Sequence, residues 1–141
     1  MNLNLPSKIM LIGNILKGGS LLLRKKFAGS PPYNETWYSF GVEFNPDQEP
    51  VTQFQKYIET FIGLNCRLNQ VLPWSNEVKE DHDGVEKHFI YLQMLFEYLD
   101  GEPILPEGHE KIEFISLNNL SEIDLVPPTR ENLIRIGLIN N

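Results

Sequence analysis

The sequence predicts an α+β fold in which strands, a helix, further strands and a second helix follow one another. Ten prolines and ten glycines separate short apolar segments, which is typical of turns between short elements. Two segments instead repeat apolar residues every three or four positions, as amphipathic helices do. With 141 residues, in the usual size range of one domain, the chain is expected to form a single domain over residues 1–141.

The first three predicted strands are rich in branched apolar and aromatic side chains. They cover residues 8–16, 21–26 and 37–44. Turn residues at positions 17–20 join the first two into a predicted β-hairpin. A loop over residues 29–36, with Pro31 and Pro32, precedes the third strand.

The first predicted helix follows from one stripe of apolar residues: Val51, Phe54, Ile58, Phe61 and Ile62. Pro50 suits the first turn of this helix, and Gly63 suits its C-terminal cap. A final amphipathic helix is predicted after residues 127–129. It would turn Leu133, Ile136 and Ile139 inward.

Between the two helices the pattern predicts strands separated by polar segments. The predicted strands are residues 65–72, 88–99 and 111–117. Residues 73–84 are predicted to form a polar loop, and residues 120–123 a single helical turn.

Charge and composition exclude several classes of protein. A net charge of -7 disfavours binding of long nucleic acid, which depends on neutralising phosphates with basic side chains. The single cysteine, Cys66, cannot form an internal disulfide, which fits a reducing compartment. No apolar run reaches the roughly 18–20 residues that span a bilayer, and residues 1–10 lack the pattern of a secretion signal. The expected location is the cytoplasm.

Three short segments, within this order of elements, resemble the Nudix superfamily. They are residues 21–24, 36–41 and 58–64, and the resemblance extends over residues 8–137. It implies an α/β/α sandwich with a mixed sheet. In that family a loop–helix–loop segment, the Nudix box, binds divalent cations that carry the diphosphate of a nucleoside-diphosphate-linked substrate. Carboxylates one turn apart on a helix place several oxygen ligands on one face, as such cations require.

The box aligns on this chain through Gly63 and Leu64, which match its closing residues. This register puts Lys56 on the arginine of the box, and Gly41 on the glycine that commonly precedes it. The acidic positions of the box are occupied by non-acidic residues: Gln48, Tyr57, Thr60 and Phe61. The resemblance therefore implies a retained fold with a degenerate Nudix box, and no metal site is expected.

A second register, counted from Gly41, would place Asp47 and Glu59 on acidic positions. It requires a one-residue insertion to align Gly63, so we reject it; Glu59 is then a predicted surface charge, pointing away from the site. Tyr57 and Phe61 are spaced to touch on a helix. Three interpretations of this pair stay open: local repacking, the apolar floor of a ligand pocket, or a contact with another subunit.

A ligand cleft is expected near the end of the second strand. Arg24 and Lys26 share one face there and are candidates to bind an anionic ligand, the alternative being a solvated strand end. Phe40, Gly41 and Trp74 are further candidates for substrate binding. Aromatic rings such as Phe40 and Trp74, or Trp37, stack on a base or a sugar, although tryptophan in a small domain is more often in the core.

Two acidic segments offer alternative sites. In some Nudix members a loop glutamate is an extra cation ligand or general base, and Glu107 or Glu110 would be its match. Residues 77–88 hold the densest group of carboxylates and imidazoles, but their spacing fits no strict ligand pattern. Cys66 lacks the context of a nucleophile, and no phosphate-binding P-loop motif occurs.

These observations lead to three functional hypotheses. The first is a divergent Nudix protein that binds a nucleotide or nucleoside-diphosphate-linked metabolite, with metal-dependent pyrophosphohydrolysis weak or lost and no cofactor. The second is an active hydrolase that uses Mg²⁺ or Mn²⁺ through Glu107, Glu110 or residues 77–86. The third is an interaction module that uses the Tyr57 and Phe61 surface. The expected partners are a nucleotide-like small molecule and, through that surface, a second copy of the chain in a homodimer.

Overall fold

The computed structural model describes residues 4–31 and 33–140. The interpretation of residues 1–10 therefore falls partly outside the described residues, and so does that of Pro32. Over the described ranges, the chain has no helix whose length and apolar character would allow it to cross a bilayer.

Within these ranges, eight strands and two α-helices follow the predicted order. The strands are β1 (Ser7–Lys17), β2 (Ser20–Lys26), β3 (Trp37–Tyr38), β4 (Phe40–Glu43), β5 (Asn65–Val71), β6 (Ser75–Glu80), β7 (Glu86–Asp100) and β8 (His109–Ser116). The helices are α1 (Pro50–Tyr57), continued by a π-helical turn (Ile58–Ile62), and α2 (Pro127–Arg135), which follows a 3₁₀ turn (Leu117–Glu122).

The sheet is mixed, as predicted. β1 pairs in parallel with β7 over ten residues, from Ser7 opposite His88 to Leu16 opposite Glu97. β1 also pairs antiparallel with β2 across the hairpin turn and with β4, while β2 pairs with β3 on one edge and β8 on the other. β5 and β6 both pair antiparallel with β7. The long strands β1 and β7 therefore form the centre of the sheet.

Two apolar clusters attach the helices to this sheet. Phe54 and Ile58 of the first helical segment are fully buried against Leu11 of β1 and Phe96 of β7. Leu133 of α2 belongs to a second cluster around Leu21, Leu23, Trp37 and Leu120. The α+β sandwich, with a mixed sheet between helices, is therefore confirmed.

Gly13 determines how closely α1 approaches β1. A Cβ atom at this position would lie 2.1 Å from two atoms of the Phe54 ring. That ring is fully buried and stacks on Phe96 with 5.0 Å between centroids. The absence of a side chain at Gly13 is therefore what lets the aromatic ring of the helix lie flat against the sheet.

The end of the first helix differs from the predicted regular stripe. Gly63 caps it in the left-handed conformation with φ of 81°, as predicted, but its N–H bonds to the carbonyl of Ile58, five residues earlier. The wider π-helical turn keeps Ile58 and Ile62 buried and turns Phe61 outward. Phe61, one of the apolar residues whose spacing predicts this helix, is 62% exposed.

Two strand predictions were wrong. Residues 75–80, predicted as part of a polar loop, form β6, which pairs with β7 from Ser75 opposite Tyr91 to Glu80 opposite Glu86. All but one of its side chains are exposed, so no apolar alternation marked it. The predicted strand 37–44 is broken at Ser39 because β3 pairs with β2 and β4 pairs with β1.

Candidate functional site

A cleft of about 480 Å³ opens between the sheet and α2. Its walls come from β1 and β4, from the ends of β2 and β3 and the loop between them, from β6 and β7, and from α2. Aromatic, cationic and amide side chains converge there from segments that are far apart in the sequence. The residues predicted to bind substrate can be located against this cleft.

Four of the five predicted substrate-binding residues line the cleft. Arg24 and Lys26 do so from β2, and Phe40 and Gly41 from β4. Trp74 does not line it: the residue precedes β6, and its side chain is 71% exposed. The structure therefore brings the predicted cations together with Phe40 and leaves Trp74 apart.

Arg24 lies at the end of the cleft nearest to α1. Its guanidinium carbon is 4.3 Å from the centre of the Tyr38 ring and 4.8 Å from that of Phe40, within the range of cation–π attraction. One terminal nitrogen donates to the Tyr57 hydroxyl at 3.4 Å. Its Nε is buried without a partner, and no ion pair joins Arg24 to a carboxylate of the described residues.

The two lysines that follow on β2 point in different directions. The Lys26 ammonium donates to the carbonyl oxygens of Ser30 and Tyr33, at 2.6 and 2.7 Å. These carbonyls orient the ammonium without neutralising its charge. Lys25 instead forms an ion pair with Glu110, at 2.8 Å, and does not line the cleft.

Tyr38 is held in place by His109. Their rings stack with centroids 5.7 Å apart, and the Tyr38 hydroxyl is hydrogen bonded to His109 Nε2. The other ring nitrogen of His109 lies 3.1 Å from the Glu107 carbonyl, so Nδ1 donates and Nε2 accepts. Burial raises the pKa of Tyr38, and the nearby Arg24 charge opposes that shift. Tyr38 is therefore a neutral, fixed aromatic wall beside the guanidinium.

Two buried amides face the cleft without partners. Gln93 of β7 is 3% exposed and Asn132 of α2 is 7% exposed, and both line it. Among the described residues, Gln93 Oε1 and both polar atoms of Asn132 find no hydrogen-bond partner. Leaving a buried donor or acceptor unpaired costs about 1–3 kcal/mol. Unpartnered polar atoms beside a cleft are candidates to pair with a ligand or with water.

The opposite end of the cleft is polar and structured. The Tyr91 hydroxyl donates to Glu77 at 2.7 Å, and Lys79 pairs with the same carboxylate at 3.3 Å. Burial, followed by this hydrogen bond, raises the pKa of Tyr91. Arg135 of α2 donates to the Ser75 hydroxyl at 3.0 Å.

The cleft is more cationic than the chain as a whole. Among the described residues that line it, four are cationic and two are acidic: Arg24, Lys26, Lys79 and Arg135 against Glu77 and Glu131. The whole chain carries a net charge of -7. The arrangement therefore attracts anions into an otherwise acidic protein.

The residues aligned with the Nudix box do not fit a Mg²⁺ cluster. Tyr57 ends α1 with its hydroxyl beside Arg24 and its ring 5.5 Å from that of Phe61. Thr60 is exposed in the π-helical turn, and Gln48 and Lys56 are exposed near the two ends of α1. None of these residues carries a carboxylate, the ligand that hard cations prefer. Over the described ranges, no group of three or more His, Cys, Asp or Glu side chains is placed to hold a metal ion.

The alternative acidic segments are engaged in other contacts. Glu110 is paired with Lys25, and Glu107 lies on an exposed turn. In the connection between β6 and β7, Asp81 forms ion pairs with both Lys8 and Lys87, at 3.0 and 2.8 Å. Glu110 and Asp81 are therefore neutralised by lysines of this chain.

Four residues in or beside the cleft were not predicted from the sequence: Gln93, Asn132, Tyr38 and His109. A single amide inside the apolar run of β7 was one available signal for Gln93. Asn132 beside the inward-facing Leu133 was the equivalent signal on α2. Nothing in the local sequence indicated that the Tyr38 and His109 rings would meet, because they lie 71 positions apart.

Comparisons with known proteins identify the fold. No family model matches the chain, and no curated protein matches it in sequence. A MutT Nudix hydrolase from Burkholderia pseudomallei superposes with a TM-score of 0.70 at 22% identity, covering 92% of this chain and 98% of that one. The MutT protein of Methanosarcina mazei gives 0.70 at 18% identity, over 95% and 94%. An ADP-ribose pyrophosphatase from Streptococcus suis gives 0.64 at 18% identity, over 93% and 89%. With its mixed sheet between helices and its cleft between sheet and α2, the chain therefore has the fold of the Nudix hydrolases.

Proposed function

We propose that this protein binds a nucleotide or a nucleoside-diphosphate-linked metabolite in the cleft, with metal-dependent pyrophosphohydrolysis weak or lost. The observation that carries the proposal is the pair of unpartnered buried amides, Gln93 and Asn132. They share one cavity with aromatic faces and with Arg24 and Lys26, for which the described residues supply no carboxylate partner.

Each part of a nucleotide has a counterpart in this cavity. The edge of a base presents donors and acceptors in one plane, which amide side chains pair with. Rings such as Tyr38 and Phe40 offer faces for stacking. Arg24 supplies a planar set of donors suited to phosphate oxygens. The solved neighbour described as an ADP-ribose pyrophosphatase supports the same ligand class.

Weak or absent hydrolysis follows from the chemistry of the box positions. Metal-dependent cleavage requires cations that neutralise the phosphate oxygens and generate a nucleophile from water. Tyr57, Thr60 and Phe61 offer a phenol, a hydroxyl and a ring where the family's box has carboxylates. We place the protein in the cytoplasm, in keeping with its buried, unpaired Cys66.

Calorimetric titration tests the binding proposal. The probes are ADP, GDP, CDP, UDP and ADP-ribose in buffer with Mg²⁺, with inorganic pyrophosphate as the reference. We expect at least one nucleotide to bind about tenfold or more tightly than pyrophosphate, since a base adds hydrogen bonds and a stacked ring. If none binds more tightly than pyrophosphate, the nucleotide proposal is wrong.

Substitution of the amides separates binding from folding. Gln93→Leu and Asn132→Leu should each weaken the preferred nucleotide by a factor of about three to ten, as for one lost hydrogen bond. The thermal stability of the free protein should stay the same or rise, because each substitution removes a buried amide oxygen that has no partner among the described residues. Gln70→Leu, on the exposed face of β5, is the matched control. Equal binding by all three variants would contradict the assignment of the amides.

Hydrolysis is assayed on the same nucleotides by phosphorus NMR with Mg²⁺ or Mn²⁺. The proposal expects product at the protein-free rate or only slightly above it. Rapid metal-dependent cleavage of any of them would overturn the claim that activity is weak or lost.

A further inference from the structure

We propose that the cleft holds the phosphate of its ligand directly on the Arg24 guanidinium, with no divalent cation between protein and phosphate. This inference rests on the proposed function, in that it assumes a phosphate-bearing ligand. It adds the mode of recognition: a side-chain cation replaces the metal.

Arg24 is in contact with Tyr57 of the first helix. Tyr57 occupies a position that the resemblance aligns with a carboxylate of the box, and its hydroxyl lies 3.4 Å from the guanidinium. A glutamate side chain at this position would place a carboxylate beside Arg24 and neutralise it. With tyrosine there, the hydroxyl accepts a hydrogen bond and leaves the positive charge available. A tyrosine in place of a carboxylate at position 57 therefore removes a metal ligand and leaves the neighbouring Arg24 guanidinium without an ion-pair partner at this position.

The Arg24 guanidinium is also fixed before any ligand binds. Tyr38 and Phe40 lie 4.3 and 4.8 Å from its central carbon, and His109 fixes the Tyr38 ring. Arg24 Nε is buried and unpartnered. A planar guanidinium with unused donors is suited to phosphate, whose oxygens accept two parallel hydrogen bonds. Little side-chain entropy remains to be lost on binding.

The charges around Arg24 favour an anionic ligand as well. Lys26 also lines the cleft, and its ammonium is held by the carbonyls of Ser30 and Tyr33. With Lys79 and Arg135, the cleft has four cationic side chains against two carboxylates. A site built to hold divalent cations has the opposite balance, because its ligands are acidic. The cleft is therefore set up to receive the anion itself.

The experiment measures binding of inorganic pyrophosphate by calorimetry in excess EDTA and again with Mg²⁺. We expect the unmodified protein to bind pyrophosphate in EDTA, with Mg²⁺ leaving the affinity unchanged or lowering it by sequestering the anion. If binding disappears in EDTA and returns with Mg²⁺, a metal carries the phosphate and the inference is wrong.

Variants locate the contact. Arg24→Gln should weaken metal-free binding about tenfold or more, the loss expected for hydrogen bonds to a charged group. Arg67→Gln removes an exposed arginine that pairs with Glu97 on the β5–β7 face, and should bind as the unmodified protein does. Equal affinities in the two variants would refute the role of Arg24.

A second pair of variants keeps the test valid if Arg24→Gln does not fold. Tyr57→Glu should also lower metal-free affinity about tenfold, because the new carboxylate pairs with Arg24. Tyr57→Phe removes only the hydroxyl and should stay within about threefold, the loss of one neutral hydrogen bond. If Tyr57→Glu binds pyrophosphate in EDTA as well as Tyr57→Phe does, the inference fails.

The outcomes distinguish this inference from the proposed function. Pyrophosphate binding in EDTA without any preference for nucleotides would retain the Arg24 site and remove the nucleotide proposal. Nucleotide binding that requires Mg²⁺ would retain the nucleotide proposal and remove the metal-free Arg24 site.

Discussion

Replacing Gly13 by alanine tests how α1 is seated on the sheet. The added Cβ would lie 2.1 Å from Cε1 and Cζ of Phe54, whereas ordinary contacts begin near 3.4 Å. The ring would have to move by about 1.3 Å, and its stacking on Phe96 and its full burial leave no free side to move into. Overpacking of this kind costs about 1–3 kcal/mol, which for a chain of this size lowers the melting temperature by roughly 3–10 °C.

Calorimetric melting of the purified variant measures this loss. Gly19→Ala, at a turn position where an added Cβ meets nothing within 4 Å, is the control and should change stability by less than about 0.5 kcal/mol. Adding Phe54→Leu to Gly13→Ala should recover part of the loss, since the two sites share one contact. Equal melting temperatures for the two alanine variants would refute the packing argument. Displacement of α1 also moves Tyr57 relative to Arg24, so pyrophosphate affinity should change with stability in this series.

Three further predictions concern charge. Hydrogen bonds from Lys87 and then Lys8 hold the pKa of Asp81 well below its usual range. The stabilising contribution of Asp81 is therefore present above the unfolded pKa near 3.9 and is lost as the pH falls. The melting temperature should drop less steeply between about pH 5 and 2 in Asp81→Asn than in the unmodified protein, and equal slopes would contradict the ion-pair assignment. A triple variant carries glutamate at the three box positions of the helix: Tyr57→Glu, Thr60→Glu and Phe61→Glu. It should bind Mn²⁺, and repulsion between the like charges should lower the stability of its metal-free form. Its melting temperature should therefore rise with added Mn²⁺, and a variant insensitive to Mn²⁺ would show that the alignment of the box is wrong. Burial raises the pKa of Cys66 to about 11. Iodoacetamide should therefore modify this thiol slowly at pH 8 in the folded protein and readily after denaturation. Rapid modification of the folded protein would contradict the burial of Cys66.

The parts of the fold that the sequence predicts are those where apolar burial and backbone conformation coincide. Local patterns mark the apolar stripe from Val51 to Ile62, the cap at Gly63, and the branched residues of β1 and β2. The structure contains the corresponding helix and strands. β6 has no such period, because its side chains are mostly exposed and only backbone pairing with β7 makes it a strand. Its existence depends on a partner that the local sequence does not indicate.

The candidate site divides in a similar way. Alternation along β2 predicts that Arg24 and Lys26 share a face, and both line the cleft. The buried amides come from β7 and α2, and only tertiary packing shows that Gln93 and Asn132 lack partners. Long-range convergence of this kind has no local signature.

A Mn²⁺ titration of the unmodified protein shows whether the first helix binds a divalent cation. The titration is followed by the electron paramagnetic resonance signal of free Mn²⁺, with and without saturating pyrophosphate. Since the aligned box positions offer no carboxylate, we expect the free signal to follow the protein-free control without pyrophosphate, and the pyrophosphate-only control when it is present. A protein-dependent loss of free Mn²⁺ that Thr60→Ala or Tyr57→Phe abolishes would place a metal at this helix and show that the phosphate is not held by Arg24 alone.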